Sequence, residues 1–139
     1  MSSLPTIHVI DDDHAVRDSL GTLIECHGFP IQLYASAASF LNRGAVEGCL
    51  LTDLDMPGIT GLELLNRLRD RGVAIPSIIM TGRLRPSIEE AIGQVGAILL
   101  EKPFQPGELL AALQKVLDTK SGKKPETVTT VSRACPRSF

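Results

Sequence analysis

Apolar positions along residues 1–118 alternate between short runs and longer stretches of helical period. Thr6–Ile10 reads as a strand, halted by three aspartates. His14–His27 reads as a helix with Val16, Leu20, Leu23 and Ile24 on one face and Gly28 as its stop. Ile31–Tyr34 is a second, shorter strand, followed by a short helix near Ser36–Asn42. Cys49–Leu54 is a third strand, and its near-continuous apolar run predicts burial on both faces. After the Met56-Pro57-Gly58 turn, Leu62, Leu64, Leu65 and Leu68 place a core-facing helix over residues 61–71. Ile75–Met80 makes strand four, with Pro76 at its start, where a missing donor is tolerated. Pro86 suits a first helical turn, and Ile88, Ala91, Ile92 and Val95 continue that helix. Ala97–Leu100 makes strand five, and Leu109, Leu110, Leu113, Val116 and Leu117 give a last helix ending near Asp118.

Five strand–helix repeats of about 24 residues match the spacing of βαβ units with shared strands. Crossovers that short favour parallel strands in an open sheet with helices on both faces. From Thr119 the pattern stops, so residues 1–118 are expected to form one domain and 119–139 a flexible tail with no output domain. Aromatics are only 4% of the chain and Trp is absent, so the core must be built from Leu, Ile, Val and Ala. Charge divides the same way: residues 1–118 carry 9 Lys/Arg against 15 Asp/Glu, and residues 119–139 carry 5 against 1. An acidic domain with a basic tail follows.

No apolar stretch approaches the ~18 residues of a membrane span. The opening Met1-Ser2-Ser3-Leu4-Pro5 lacks the basic start and apolar middle of a signal peptide. Cys26, Cys49 and Cys135 are odd in number and widely spaced, which suits idle thiols in a reducing, cytoplasmic setting and speaks against zinc. Cys26 and Cys49 read as small core fillers.

Ligands of an open doubly wound sheet bind beyond the carboxyl ends of its strands. Strand one ends in Asp11-Asp12-Asp13, strand three in Asp53, strand four at Thr81 and strand five at Lys102; strand two delivers no charged group. Placing strand one beside strand three, with strand two outside, gathers all four. Three carboxylates together repel one another unless a cation joins them, and a hard, oxygen-liganded ion such as Mg²⁺ fits. With that charge offset, a carboxylate oxygen can act as nucleophile toward phosphorus and form an acyl phosphate. Lys102 supplies a positive charge, and Thr81 a hydroxyl, for the phosphoryl oxygens.

Val9-Ile10-Asp11-Asp12-Asp13, Leu51-Thr52-Asp53-Leu54-Asp55-Met56-Pro57-Gly58, Ile79-Met80-Thr81-Gly82 and Glu101-Lys102-Pro103-Phe104 occur in this order and spacing. Together they resemble the receiver domain of two-component response regulators, the CheY-like family. Tyr34-Ala35-Ser36-Ala37, Thr81-Gly82 and Glu101-Lys102-Pro103-Phe104 lean toward its FixJ-like branch. The resemblance implies an α/β, flavodoxin-like (βα)5 fold, a doubly wound five-stranded parallel sheet of order 2-1-3-4-5. It implies that Asp53 takes phosphate from a sensor histidine kinase or phosphotransfer protein and that the switched domain engages a downstream protein target. Asp12 would touch Mg²⁺ (or Mn²⁺ in its place) directly and Asp11 chiefly through water, with the backbone carbonyl of Asp55 completing the set. Thr81 and Lys102 would bind the phosphoryl group, and the Lys102–Pro103 bond would be cis. The family also offers a homodimer through the helix 86–95 and strand 97–100 face.

Three departures from the family pattern stand out. Leu99 occupies the place of the usual aromatic switch residue, and the segment between Gly96-Ala97 and Lys102 is one residue short. Asp55, two residues after the acceptor, and Arg83, two after Thr81, are expected to pair across the site mouth and tune the phosphate's lifetime. Asp13 reads as a helix cap, His8 as a packed core residue and His14 as an exposed helix position. Rival readings are a phosphatase using Asp53-Leu54-Asp55, a binding module no longer switched by phosphate, and a DNA-binding regulator. The 21 residues of the tail are too few for a helix-turn-helix, so no direct DNA contact by this chain is expected.

Overall fold

Ile7–Ile10, Cys49–Asp53 and Ser77–Thr81 are buried at every position, whereas Ile31–Tyr34 and Ile98–Glu101 are part-exposed. Strands covered on both faces belong in the middle of a sheet and half-covered ones at its edges. The computed structural model bears this out. It describes residues 4–121, leaving aside the side chains of 119–121. In chain order the elements are β1 (Ile7–Ile10), α1 (His14–Cys26), β2 (Ile31–Tyr34), α2 (Ala37–Arg43), β3 (Cys49–Asp53), α3 (Gly61–Asp70), β4 (Ser77–Thr81), α4 (Pro86–Gln94), β5 (Ile98–Glu101) and α5 (Pro106–Ser121). All neighbouring strands pair in parallel, in the order β2-β1-β3-β4-β5. The expected order is thus the observed one.

Alternation along each strand sends apolar side chains to two separate cores. Ile7, Val9, Cys49, Leu51, Ile78, Met80 and Leu100 pack with Leu20, Leu23 and Ile24 of α1 and Leu109, Leu113 and Val116 of α5. Ile10, Leu50 and Ile79 face Phe40 and Leu41 of α2, Leu64, Leu65 and Leu68 of α3, and Ile92 of α4. Helix starts are fixed locally. Asp13 caps α1 through Ala15 N–H and Val16 N–H, Thr60 and Glu63 form a capping box on α3, and Pro86 opens α4.

Several boundaries differ from expectation. The fourth strand begins at Ser77, two residues after Ile75, and runs through Thr81. Pro76 stays outside it, contributing only its carbonyl, which accepts from Leu50 N–H at 2.9 Å. The third strand stops at Asp53, and α5 continues to Ser121, past the predicted stop at Asp118. Cys26 is exposed rather than a core filler, because the buried stripe of α1 runs through Leu20, Gly21, Leu23 and Ile24 and has turned away by the last residue. Cys49 is buried, and burial pushes its thiol up to about 12, so it stays unreactive. Most of the tail predicted over 119–139, Cys135 included, lies outside the described residues.

His8 is packed into the core as expected, and its polar ring is satisfied. A carbonyl can only accept, so the Nε2–H donates to Glu47 O (2.9 Å) and Nδ1 accepts from Tyr34 Oη (3.0 Å). The Phe40 ring stands edge-on to both, 5.3 Å from the His8 centroid and 5.2 Å from that of Tyr34. Burial holds the imidazole below its ordinary value, with the Arg43 charge pushing the same way against the Glu47 bond. Tyr34→Phe removes the hydroxyl that donates to Nδ1 and leaves a buried acceptor without it. Urea unfolding should show a loss of about 1–3 kcal/mol; an unchanged midpoint would mean that the pair adds nothing.

Candidate functional site

The strand register decides which polar residues meet. Val9 pairs with Leu51, so Asp11 and Asp53 lie one step further along on the same face. Asp53 pairs with Met80 and Met80 with Leu100, so Lys102 shares that face as well, while Thr81 points to the other side. The side chains follow this rule. Lys102 Nζ lies 3.0 Å from Asp53 Oδ1 and 3.6 Å from Asp11 Oδ2. The Thr81 hydroxyl instead donates to Asp55 Oδ2 at 3.5 Å and accepts from Arg83 N–H at 3.1 Å.

Backbone contacts hold each residue in place. The turn after β1 folds on itself: Asp13 N–H donates to Asp11 Oδ1 (2.9 Å), and Arg17 Nη1 donates to the Asp11 carbonyl (2.7 Å). Lys102 N–H donates to Thr81 O (2.8 Å), and the Lys102–Pro103 bond is cis, as expected. Gly61 opens α3 directly beneath the acceptor. A Cβ there would lie 2.7 Å from Asp53 O and 3.2 Å from Leu54 Cα, so only glycine lets the helix start so close to that peptide.

Burial sets the electrostatics. Asp11 is 1% exposed and Asp53 6%, whereas Asp12 and Asp55 are exposed. Burial pushes Asp53 up to about 6, against the opposing pull of its bond to Lys102 and with the Asp11 and Asp55 charges adding to the rise. Burial also raises Asp11. It pulls Lys102 the other way, yet the bond to Asp53 and the two nearby carboxylates leave the ammonium above its usual value. Both acids are therefore short of compensating charge, and a single lysine does not supply enough.

A cation would supply the rest. Asp11, Asp12 and Asp53 each offer one carboxylate oxygen, and these all lie within 4.8 Å of one another. Asp11 Oδ2 is buried with no hydrogen-bond partner, an arrangement that a bound ion or its water would resolve. An all-oxygen donor set of this kind suits a hard divalent ion.

The six predicted residues Asp11, Asp12, Asp53, Asp55, Thr81 and Lys102 thus gather at one edge of the sheet. The expected ion pair between Asp55 and Arg83 is not formed. Arg83 is exposed, its contact with the site runs through its backbone N–H, and a solvated pair gains too little to hold two mobile side chains together. Leu99 is half-buried among apolar side chains of the α2–α4 side. Asp13 caps its helix, and His14 is exposed beside Asp18, as read from the sequence. Arg17 was not foreseen; an arginine one turn into an amphipathic helix carries no signal of its own.

A doubly wound sheet with an acidic cluster and a lysine at the ends of β1, β3 and β5 defines a class, and comparison with known proteins names it. Residues 7–114 match the response regulator receiver domain family. The chain belongs to that family, the receiver domains of two-component response regulators. Its relatives are FixJ-like. Over 118 residues it is 47% identical to the transcriptional regulatory protein FixJ of Azorhizobium caulinodans, covering 83% of this chain and 56% of that one. The crystal structure of FixJ-N superposes with a TM-score of 0.76 at 34% identity, covering 84% of this chain and 94% of that one. A CheY-like receiver domain protein from Methanospirillum hungatei gives a TM-score of 0.80 at 27% identity, covering 86% and 98%. The chain spans little more than half the length of the curated FixJ relatives it matches. Among the described residues, no helix is long and apolar enough to cross a membrane.

Proposed function

We propose that this chain is the phosphoacceptor of a two-component phosphorelay, taking a phosphoryl group on Asp53 from the phosphohistidine of a sensor kinase or phosphotransfer protein. An Asp53 carboxylate oxygen bonds to phosphorus as the bond from phosphorus to the donor's leaving atom breaks. Mg²⁺, or Mn²⁺ in its place, would be held by Asp11, Asp12, Asp53 and the backbone carbonyl of Asp55, and would offset the charge of the approaching phosphate. Lys102 binds a phosphoryl oxygen, and Thr81 turns its hydroxyl from Asp55 to another. The domain acts in the cytoplasm and is self-dephosphorylating, a signalling module rather than an enzyme with a separate substrate. Residues 1–118 carry this chemistry.

The observation that carries this reading is the convergence on Asp53: a buried carboxylate 3.0 Å from Lys102 Nζ, beside a second buried acid with an oxygen that has no hydrogen-bond partner. The test is incubation with acetyl phosphate, with Mg²⁺ or with chelator, followed by intact-mass measurement. Wild type should gain one phosphoryl group only with metal, and Asp53→Asn none. A modified Asp53→Asn would move the acceptor elsewhere.

A second reading, a binding module no longer switched by phosphate, draws on Leu99. An aliphatic side chain packed among others has no ring whose swing could report the state of Thr81. The two readings part on amide hydrogen exchange of α4 and β5. Protection that changes on phosphorylation supports the switch, and unchanged protection supports the constitutive module.

A further inference from the structure

Side chains on a helix lean toward its N-terminus, so an arginine one turn into α1 reaches back over the cap. Arg17 does so. Its backbone N–H donates to Asp13 O at 2.9 Å, and its Nη1 donates to the Asp11 carbonyl at 2.7 Å. One residue thus ties both ends of the Asp11–Asp13 turn to the helix. Within that turn Asp11 Oδ1 is engaged by Asp13 N–H, which leaves Oδ2 facing Lys102. That oxygen is buried and has no hydrogen-bond partner.

A cation beside three acids could act through its charge, but the choice of partner argues otherwise. The guanidinium bonds a peptide carbonyl, not a carboxylate, so it fixes geometry without neutralising any oxygen a metal would use. The short bond from an ionised donor is of the stronger, charge-assisted kind, suited to holding a turn against the mutual repulsion of its acids.

We propose that Arg17 is a positioning residue: by clamping the Asp11 carbonyl it holds the Asp11 and Asp12 carboxylates in the arrangement that takes a divalent cation, and so sets metal affinity. This rests on the phosphoacceptor reading above. Partners that orient metal ligands are worth about 10–100-fold in affinity, and one bond to a ligand's backbone belongs at the lower end.

The test uses Mn²⁺ alone as probe, with free Mn²⁺ followed by electron paramagnetic resonance, on wild type, Arg17→Met and Arg17→Lys. Methionine keeps the apolar stem without donors, and lysine keeps the charge and three rotatable donors without the planar fork. Arg17→Met should raise the Mn²⁺ dissociation constant about tenfold, and Arg17→Lys should recover part of the loss. Phosphorylation by acetyl phosphate should slow in Arg17→Met at low Mg²⁺ and return to the wild-type rate at saturating Mg²⁺. Unchanged Mn²⁺ affinity in Arg17→Met overturns the proposal, even if its melting temperature falls, because that is the mark of a merely structural arginine. Should Arg17→Met not fold, Arg17→Gln takes its place, with the same two outcomes. A wild type that binds no Mn²⁺ overturns the phosphoacceptor reading and this inference together, whereas equal binding by wild type and variant overturns this inference alone.

Discussion

Replacing Lys102 with methionine is expected to slow acyl phosphate formation about 10²–10³-fold at saturating Mg²⁺, the usual cost of losing one preorganised charge at a reacting centre. Two effects act in the same direction. The Nζ that sits 3.0 Å from Asp53 Oδ1 would no longer be present to receive the phosphoryl oxygens. Its bond and charge also hold Asp53 down against burial, so in the metal-free protein their loss raises the carboxyl above its present value of about 6 and disfavours the nucleophilic carboxylate that the metal must bind. Methionine retains most of the stem of a side chain that is only 28% exposed, so the variant should remain folded. Lys102→Arg should fall between the two, since it restores charge but not the compact ammonium. The check is the initial rate of mass gain with acetyl phosphate across pH 6–9. A methionine variant as fast as wild type would take Lys102 out of the chemistry.

The site is legible in the sequence where it depends on strand ends. Asp11, Asp53 and Lys102 could be placed together before any coordinates because each stands at the carboxyl end of a strand, and in the structure period-2 alternation puts them on one face. Strand order was legible for the same reason: only with β2 outside do the polar ends converge. Loops obey no such rule. Asp55 and Arg83 each lie two residues beyond a strand-end residue, which suggests that they face each other, yet both meet the Thr81 hydroxyl instead, Asp55 through its carboxylate and Arg83 through its backbone N–H. Cys26 was misplaced because the buried stripe of α1 runs through Leu20, Gly21, Leu23 and Ile24, and the last residue of the helix lies off it. The start of β4 was misplaced because Ile75 and Pro76 continue an apolar run, and only pairing with β3 shows where the ladder begins. Arg17 and the His8–Tyr34 pair are contacts to groups 6 and 26 residues away, set by packing rather than by pattern.

Asp53→Asn should make the metal-free protein more stable at pH 7.5, by up to about 3 kcal/mol, even as it removes the phosphoacceptor. The folded carboxyl titrates at about 6, well above the ordinary 3.8 that the unfolded chain would show. A group raised on folding stabilises fully below its unfolded value, and that contribution is lost as the pH climbs through the folded one. Wild type therefore gives up stability from Asp53 between about pH 4 and pH 6, and at neutral pH it carries a buried charge it would rather protonate. Asparagine keeps the shape and an acceptor oxygen for Lys102 but carries no charge, so its profile should be flatter across that window. His8 works in the opposite sense. Its value is lowered by burial, so its contribution is present above about 6.5 and lost as the pH falls; both proteins share it, and the difference between them at each pH isolates Asp53. Divalent metal should reverse the order. Binding at a hundredfold excess over the dissociation constant adds about 2.7 kcal/mol to whichever protein holds the ion, and wild type, with three acids in the cluster, should gain more than the variant with two. Urea titrations from pH 4 to 8, with chelator and then with Mg²⁺, measure all of this. If metal-free Asp53→Asn is the less stable protein at pH 7.5, then burial of Asp53 is not the strain that the metal relieves, and the site owes its affinity to something other than unpaired charge.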